Sequence, residues 1–283
     1  MSFSVSAFLA AALYALNAPL SKLLLASVPP AMMAAFLYLG AGVGMTLWAL
    51  CRCLIKHQPL RLHFTRGDSP YVAGMILLDI AAPILLMAGL NRTSSASASL
   101  LNNFEIVATA LIAMLLFHEK MGKRLWAAIG LITLSGVLLS FEGGSSLRFS
   151  MGSLLVLLAS CCWGLENNCT RMLSKGDPME VVMVKGLGSG LGSLAVALLT
   201  GEAMPAGRDI PLVMLLGFVA YGLSIFFYVY AQRGLGAART SAYYAVAPFI
   251  GVFLALLILQ ESPGPLFPAA FVLMAIGTWL ASR

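Results

Sequence analysis

Charge is what this sequence has least of. Asp, Glu, Lys and Arg together make up 10% of its 283 residues, against about 25% in an ordinary soluble domain. With 60% hydrophobic residues and a mean hydropathy of +0.93, the chain is too apolar to enclose its surface in one water-soluble core, and it calls for lipid as solvent. Other classes drop out by absence. No Walker-type phosphate loop is present, and His118-Glu119-Lys120 lacks the second histidine of a zinc-protease helix. The glycines between Gly186 and Gly192 resemble a phosphate loop in composition only, because they lie inside an apolar run and follow no strand. The sequence predicts no catalytic residue, no cofactor and no metal site. Its five cysteines, Cys51, Cys53, Cys161, Cys162 and Cys169, are odd in number and lie in or beside apolar runs, which reads as free thiols packed as small hydrophobes.

The net charge of +6 does not come from a basic patch. Lys and Arg sit singly at the ends of apolar runs, so nucleic-acid binding is excluded and an orientation signal takes its place. A bilayer needs about 20 apolar residues per helix, and ten such runs are marked: 5–26, 31–53, 69–90, 94–117, 124–141, 150–172, 178–200, 210–233, 237–259 and 265–282. Turn-like sequence separates them, as in Val28-Pro29-Pro30 and Ser262-Pro263-Gly264-Pro265. The first run lacks a basic leader and is too long for the apolar part of a signal peptide, so it reads as a retained membrane helix. With the N-terminus inside, Arg52, Lys56, Arg61, Arg66, Lys120, Lys123, Arg124, Arg171, Lys175, Arg233, Arg239 and Arg283 fall on the cytoplasmic side. Lys22, Arg92, Arg148 and Arg208 fall outside, and Lys185 falls within a helix. This predicts an all-α polytopic protein of ten transmembrane helices in the bacterial inner membrane, with both termini cytoplasmic.

The two halves repeat one another. Tyr14-Ala15-Leu16-Asn17 lines up with Trp163-Gly164-Leu165-Glu166, Gly40-x-Gly42-x-Gly44 with Gly188-x-Gly190-x-Gly192, and Leu115-Leu116-Phe117-His118-Glu119 with Leu257-Ile258-Leu259-Gln260-Glu261. Five helices per repeat is odd, so the second repeat, 149–283, must be inserted upside down relative to the first, 1–142. Inverted repeats are a mark of secondary transporters. The glycines spaced four apart read as helix contact points. On these motifs the chain resembles the EamA-type members of the drug/metabolite transporter superfamily. The family's proline in this helix corresponds to Pro248; the first repeat has Ile106 there, with Glu105 before it. That departure predicts a helix without its proline kink and with an added carboxylate.

Ionisable residues at membrane depth are the candidate site, because they ordinarily face a cavity or a partner. Asp79 lies four residues before Pro83, which leaves the Asp79 carbonyl without its helical donor. It reads either as a cation or proton site or as a structural partner of Lys185. Glu105 shares a helix face with Asn102, whereas Asn103 suits an interhelical bond. Trp163, Glu166 and Asn167 form one face, although Glu166 and Arg171 are also placed to pair with one another near the cytoplasmic end. Tyr14 and Asn17 are their counterparts, and Tyr221, Tyr243 and Tyr244 are further candidates for a substrate cavity. Glu119 and Glu261, at helix ends, read as structural, with an N–H or a basic side chain as donor.

The family resemblance implies export of small metabolites, such as amino acids or compounds derived from them, and Asp79 and Glu105 are candidates for coupling export to protons. A carrier of organic cations is the alternative, since carboxylates beside Trp and Tyr suit a quaternary ammonium. A non-transporting membrane scaffold is the rival from another class. The expected partners are a small-molecule substrate and the lipid bilayer, with protons for coupling, and the expected assembly is a monomer or homodimer.

Overall fold

The computed structural model describes residues 2–56, 64–118, 121–142, 148–173, 177–235, 240 and 243–282. The helices are α1 Phe3–Ala15, α2 Asn17–Leu24, α3 Pro30–Lys56, α4 Ser69–Leu90, α5 Ser95–Leu101, α6 Phe104–Phe117, α7 Lys123–Ser140, α8 Met151–Leu173, α9 Pro178–Leu199, α10 Asp209–Gly217, α11 Ser224–Leu235, α12 Ala247–Ile258 and α13 Phe267–Ala281. A π-helical segment, Phe218–Leu223, joins α10 to α11. A two-residue antiparallel ladder, Phe141–Glu142 against Arg148–Phe149, separates α7 from α8.

Among the described residues, seven helical stretches are long and apolar enough to cross a bilayer: Phe3–Leu24, Pro30–Ile55, Arg66–Leu90, Ser95–Leu115, Lys123–Ser140, Pro178–Leu199 and Asp209–Ala231. Helices α12 and α13 are shorter and apolar. The chain is an all-α polytopic membrane protein. Its outer surface carries exposed Leu47, Leu77, Leu115, Leu191, Leu199 and Leu257, which suits acyl chains and not water.

The helices pack closely because small residues let backbones approach, the main route to association where lipid removes the hydrophobic driving force. Helix α3 lies on α9 and α10, α4 on α8, α1 on α11, α5 on α12, and α7 on α13. Gly42 and Gly186 form the tightest part of the α3–α9 contact: a Cβ on Gly186 would lie 2.4 Å from the Gly42 nitrogen. The glycines spaced four apart are contact points, as expected, but against third helices. Gly40 and Gly44 face Met214 and Phe218, while Gly188 and Gly192 face Ile76 and Ile80.

Three of the apolar runs are not single helices. The first breaks at Leu16, where the Leu16 amide bonds back to Leu13 O at 3.3 Å and Pro19 follows within α2. The run 94–117 breaks at Asn102–Asn103, and the run 237–259 is interrupted just before Ala247. The expectation that Ile106, in place of proline, would leave the first-repeat helix unkinked is therefore corrected. The Glu105 and Ile106 amides bond three residues back, to Asn102 O at 3.1 Å and Asn103 O at 3.0 Å. The Leu101 carbonyl, which Glu105 would otherwise serve, lies at a long 3.5 Å from the Ser160 hydroxyl of α8.

Helix ends are held by carboxylates from distant sequence. Glu261 accepts from the Ser95 and Ala96 amides at 2.7 and 2.8 Å, at the start of α5, as expected of a structural residue with N–H donors. Glu202 does the same for Ala31 and Met32 at the start of α3, at 3.1 and 2.8 Å. Lys22 donates to Leu90 O and Thr93 O at the end of α4. Glu119, the other helix-terminal carboxylate, lies outside the described residues. Replacing Glu261 with alanine strands two amides of α5 and is expected to cost about 1 kcal/mol, the usual worth of an N-cap, read as reversible unfolding in detergent; Glu261→Gln recovers part of it.

Candidate functional site

The polar residues of α4, α8 and α9 meet in the interior. Asp79, on α4, is fully buried. Its Oδ1 accepts from Tyr38 OH of α3 at 3.0 Å and from Trp163 Nε1 of α8 at 3.1 Å. Its Oδ2 forms an ion pair with Lys185 Nζ of α9 at 3.0 Å. Lys185 Nζ is also 3.1 Å from Glu166 Oε1, to which the Thr170 hydroxyl donates. One ammonium thus bridges carboxylates from two helices. The alternative in which Asp79 partners Lys185 is realised in the geometry, and Glu166 is buried and holds the same ammonium; the Arg171 side chain, its other expected partner, lies outside what the structure describes. Gly164 of α8 sits against Ala108 and Thr109 of α6, and Glu166, two residues on, faces away from that contact towards α9.

Glu105, on α6, accepts from Asn167 Nδ2 at 2.5 Å. Asn168 bonds to the Gly164 carbonyl of its own helix at 2.8 Å. Asn102 and Asn103 are buried at the α5–α6 break, with Asn102 Oδ1 and Asn103 Nδ2 lacking hydrogen-bond partners. Asn103 therefore does not make the interhelical bond through Nδ2 that suited it.

An aromatic group adjoins the charged one. Asn17 Nδ2 donates to Tyr221 OH at 3.0 Å, while the Ser21 hydroxyl donates to Asn17 Oδ1 at 3.0 Å. The Tyr221 ring centroid lies 5.1 Å from that of Tyr38 and 5.9 Å, edge-on, from that of Tyr14. Tyr14 continues to Tyr244 at 5.7 Å, and Tyr244 to Tyr228 at 4.9 Å. Tyr221 sits in the π segment, whose altered pitch accompanies the turn of its ring inward. Tyr38, Asp79, Trp163, Glu166 and Tyr221 are buried, while Tyr14, Glu105, Asn167 and Tyr244 are half-buried. The cluster therefore has a closed floor and a partly accessible wall.

Tyr243 does not belong to it. It is 41% exposed, because neighbouring residues on a helix point in different directions and Tyr244 takes the inner one. Tyr38 belongs to the cluster and was not among the candidates. Its signal was its place two residues before Gly40, as Gly186, beside Lys185, stands two before the matching Gly188.

Chemically, two carboxylates share the Lys185 ammonium and a third, Glu105, is held by the Asn167 amide, so among the described residues the carboxylates outnumber the ammonium. Among the described residues no group of three or more His, Cys, Asp or Glu is placed to hold a metal ion.

A profile of the EamA-like transporter family matches residues 2–141 and 150–283. A protein of Methanothermobacter thermautotrophicus, described as an uncharacterized transporter, is 27% identical over 91% of this chain and 79% of its own length. The inner membrane transporter YedA of Escherichia coli, likewise described as uncharacterized, is 26% identical over 81% of this chain and 73% of its own. One crystal structure superposes with a TM-score of 0.72, covering 99% of this chain and 95% of the other, at 19% identity, a likeness of fold.

Proposed function

This chain belongs to the EamA-like transporter family, and from that premise we propose that it moves small amine-bearing metabolites through the site formed by Asp79, Glu105, Glu166 and Lys185. The membrane is the bacterial inner membrane, as in the name of the YedA relative. The working frame is two inverted five-helix repeats, residues 1–142 and 149–283, ten spans in all, with both termini cytoplasmic.

Helix packing supports that frame. Exchanging the halves carries the α4–α8 contact onto α11–α1, and carries α3–α9, α5–α12 and α7–α13 onto themselves. Each self-paired couple runs antiparallel. Leu39 meets Gly190 while Gly42 meets Gly186; Ser99 meets Gly251 while Ser95 meets Glu261; Ser135 meets Ala270 while Ile132 meets Gly277. Equivalent helices that run antiparallel must enter the membrane from opposite sides, the arrangement in which repeats rock about a central site. The exchange also sets Tyr14 on Tyr221 where Trp163 meets Asp79: one of the two equivalent contacts is aromatic and neutral, the other includes a carboxylate.

The observation that carries the reading is the pair of carboxylates, Asp79 and Glu166, on the Lys185 ammonium, with a third, Glu105, held by Asn167 of the same helix as Glu166. A charge at the centre of a membrane helix costs about 2.5–3.5 kcal/mol on insertion scales, and a scaffold gains nothing from several. A substrate ammonium fits the charge deficit, and the rings of Tyr14, Trp163, Tyr221 and Tyr244 suit it through cation–π attraction. Amino acids or amino-acid-derived compounds are the substrates, moved outward, with Asp79 or Glu105 taking up a proton in exchange. The same charge deficit favours a second reading, an organic cation such as a choline-like compound. Competition of a transported label by choline against zwitterionic amino acids separates the two.

In proteoliposomes under an imposed pH gradient, transport by the wild type is expected to follow the gradient. Asp79→Asn or Glu105→Gln is expected to abolish that dependence. If both variants respond to the gradient as the wild type does, the proton coupling is wrong.

A further inference from the structure

Three buried oxygens on one face of α5 have no hydrogen-bond partner: Ser95 Oγ, Ser99 Oγ and Asn102 Oδ1. Their spacing, four residues and then three, stacks them along the helix. Ser99 is 3% and Asn102 8% exposed. Leaving a buried polar atom unsatisfied costs about 1–3 kcal/mol, so a row of three asks for an explanation in a ligand.

A second observation points to the same place from another helix. Pro19 has no N–H, so the Ala15 carbonyl, at the C-terminal end of α1, lacks its normal helical donor. A glycine brings this carbonyl and the α5 face together. A Cβ built on Gly251 of α12 would lie 2.9 Å from Ser99 Oγ and 3.5 Å from Ala15 O. Both oxygens therefore border the space that the missing side chain leaves. The C-terminal end of α1 contributes partial negative charge, and Asn102 is one turn along α5 from Ser99.

The donor set is all oxygen: a carbonyl, a hydroxyl and an amide oxygen. It holds no imidazole or thiolate, as a transition metal would prefer, and no carboxylate, which calcium sites usually use. It does have the composition that unwound helices present to sodium, carbonyls at half-helix C-terminal ends with neutral side-chain oxygens. We propose that Ala15 O, Ser99 Oγ and Asn102 Oδ1 form a binding site for one sodium ion between α1, α5 and α12. Ser95 lies one turn nearer the end of α5 capped by Glu261. The site is separate from the Lys185 ion pairs and stands whatever the substrate is.

The test is thermal unfolding of the purified full-length protein in NaCl, KCl and RbCl at equal ionic strength. The expected result is a saturable rise in Tm with NaCl that the other two salts do not reproduce. Ser99→Ala is expected to keep the Tm of the wild type in KCl, since it removes an unsatisfied hydroxyl without adding bulk, and to lose the sodium-dependent rise. Ser193→Ala, which removes another buried and unpartnered hydroxyl on α9, is expected to retain it. Equal Tm values in NaCl and KCl for the wild type, or a sodium-dependent rise that survives Ser99→Ala, would overturn the proposal.

Discussion

Replacing Lys185 with methionine should destabilise the protein by about 3–5 kcal/mol, the range for breaking a buried ion pair from one side. The size follows from what is left behind. Lys185 Nζ stands 3.0 Å from Asp79 Oδ2 and 3.1 Å from Glu166 Oε1, so its loss strands two carboxylates together in an apolar interior. Asp79→Asn should cost less, because Lys185 keeps Glu166 and the amide oxygen can still accept from Tyr38 and Trp163. The new NH2 then has to turn away from the ammonium, so the cost is not zero. Removing all three charges together, as Asp79→Asn, Glu166→Gln and Lys185→Met in one protein, should recover most of the loss, because a buried ion cluster replaced as a whole is often neutral. Reversible unfolding in detergent reads the order. A Lys185→Met protein as stable as Asp79→Asn would mean that the ammonium does not bridge the two carboxylates.

The second large effect is steric. Gly186→Ala places a methyl 2.4 Å from the Gly42 nitrogen and 2.5 Å from its Cα. Overpacking usually costs about 1–3 kcal/mol where side chains can move aside. Here the obstruction is the backbone of α3, which cannot change rotamer, so the two helices must separate and the cost should reach about 3 kcal/mol or more. Gly188→Ala supplies the comparison, because its methyl meets the end of the Ile76 side chain at 2.7 Å, a group that can swing away. Gly207→Ala meets nothing within 4 Å and should be silent. Unfolding midpoints of the three variants should fall in that order, with Gly186→Ala lowest.

Much of the fold can be read along the chain, because the apolar runs and the turns between them are set by bilayer thickness and local turn chemistry. The helix breaks at Leu16 and Asn102–Asn103 and the π segment at Tyr221 are not legible in the same way. They depend on how the neighbouring helices lie. Of the site, the burial of Asp79, Trp163 and Glu166 follows from charge and aromaticity at mid-helix. Their rotation does not, since a helix apolar on most faces carries little periodic signal. That is why the sequence does not separate Tyr243 from Tyr244, does not single out Tyr38, and does not show that Glu166 meets Lys185 of another helix. Glu202 illustrates the same limit: its amide partners, Ala31 and Met32, lie across the whole first half of the chain.

The central claim is that the carboxylates around Lys185 form the substrate site. Its most direct measurement is ligand-induced thermal stabilisation of the purified protein across a panel of amino acids, amines and organic cations, repeated on Asp79→Asn and Glu105→Gln. The account predicts that an amine-bearing compound raises the Tm of the wild type, that the rise disappears in both variants, and that the same compound crosses proteoliposomes containing the wild type. A compound that stabilises the wild type and both variants equally would contradict it.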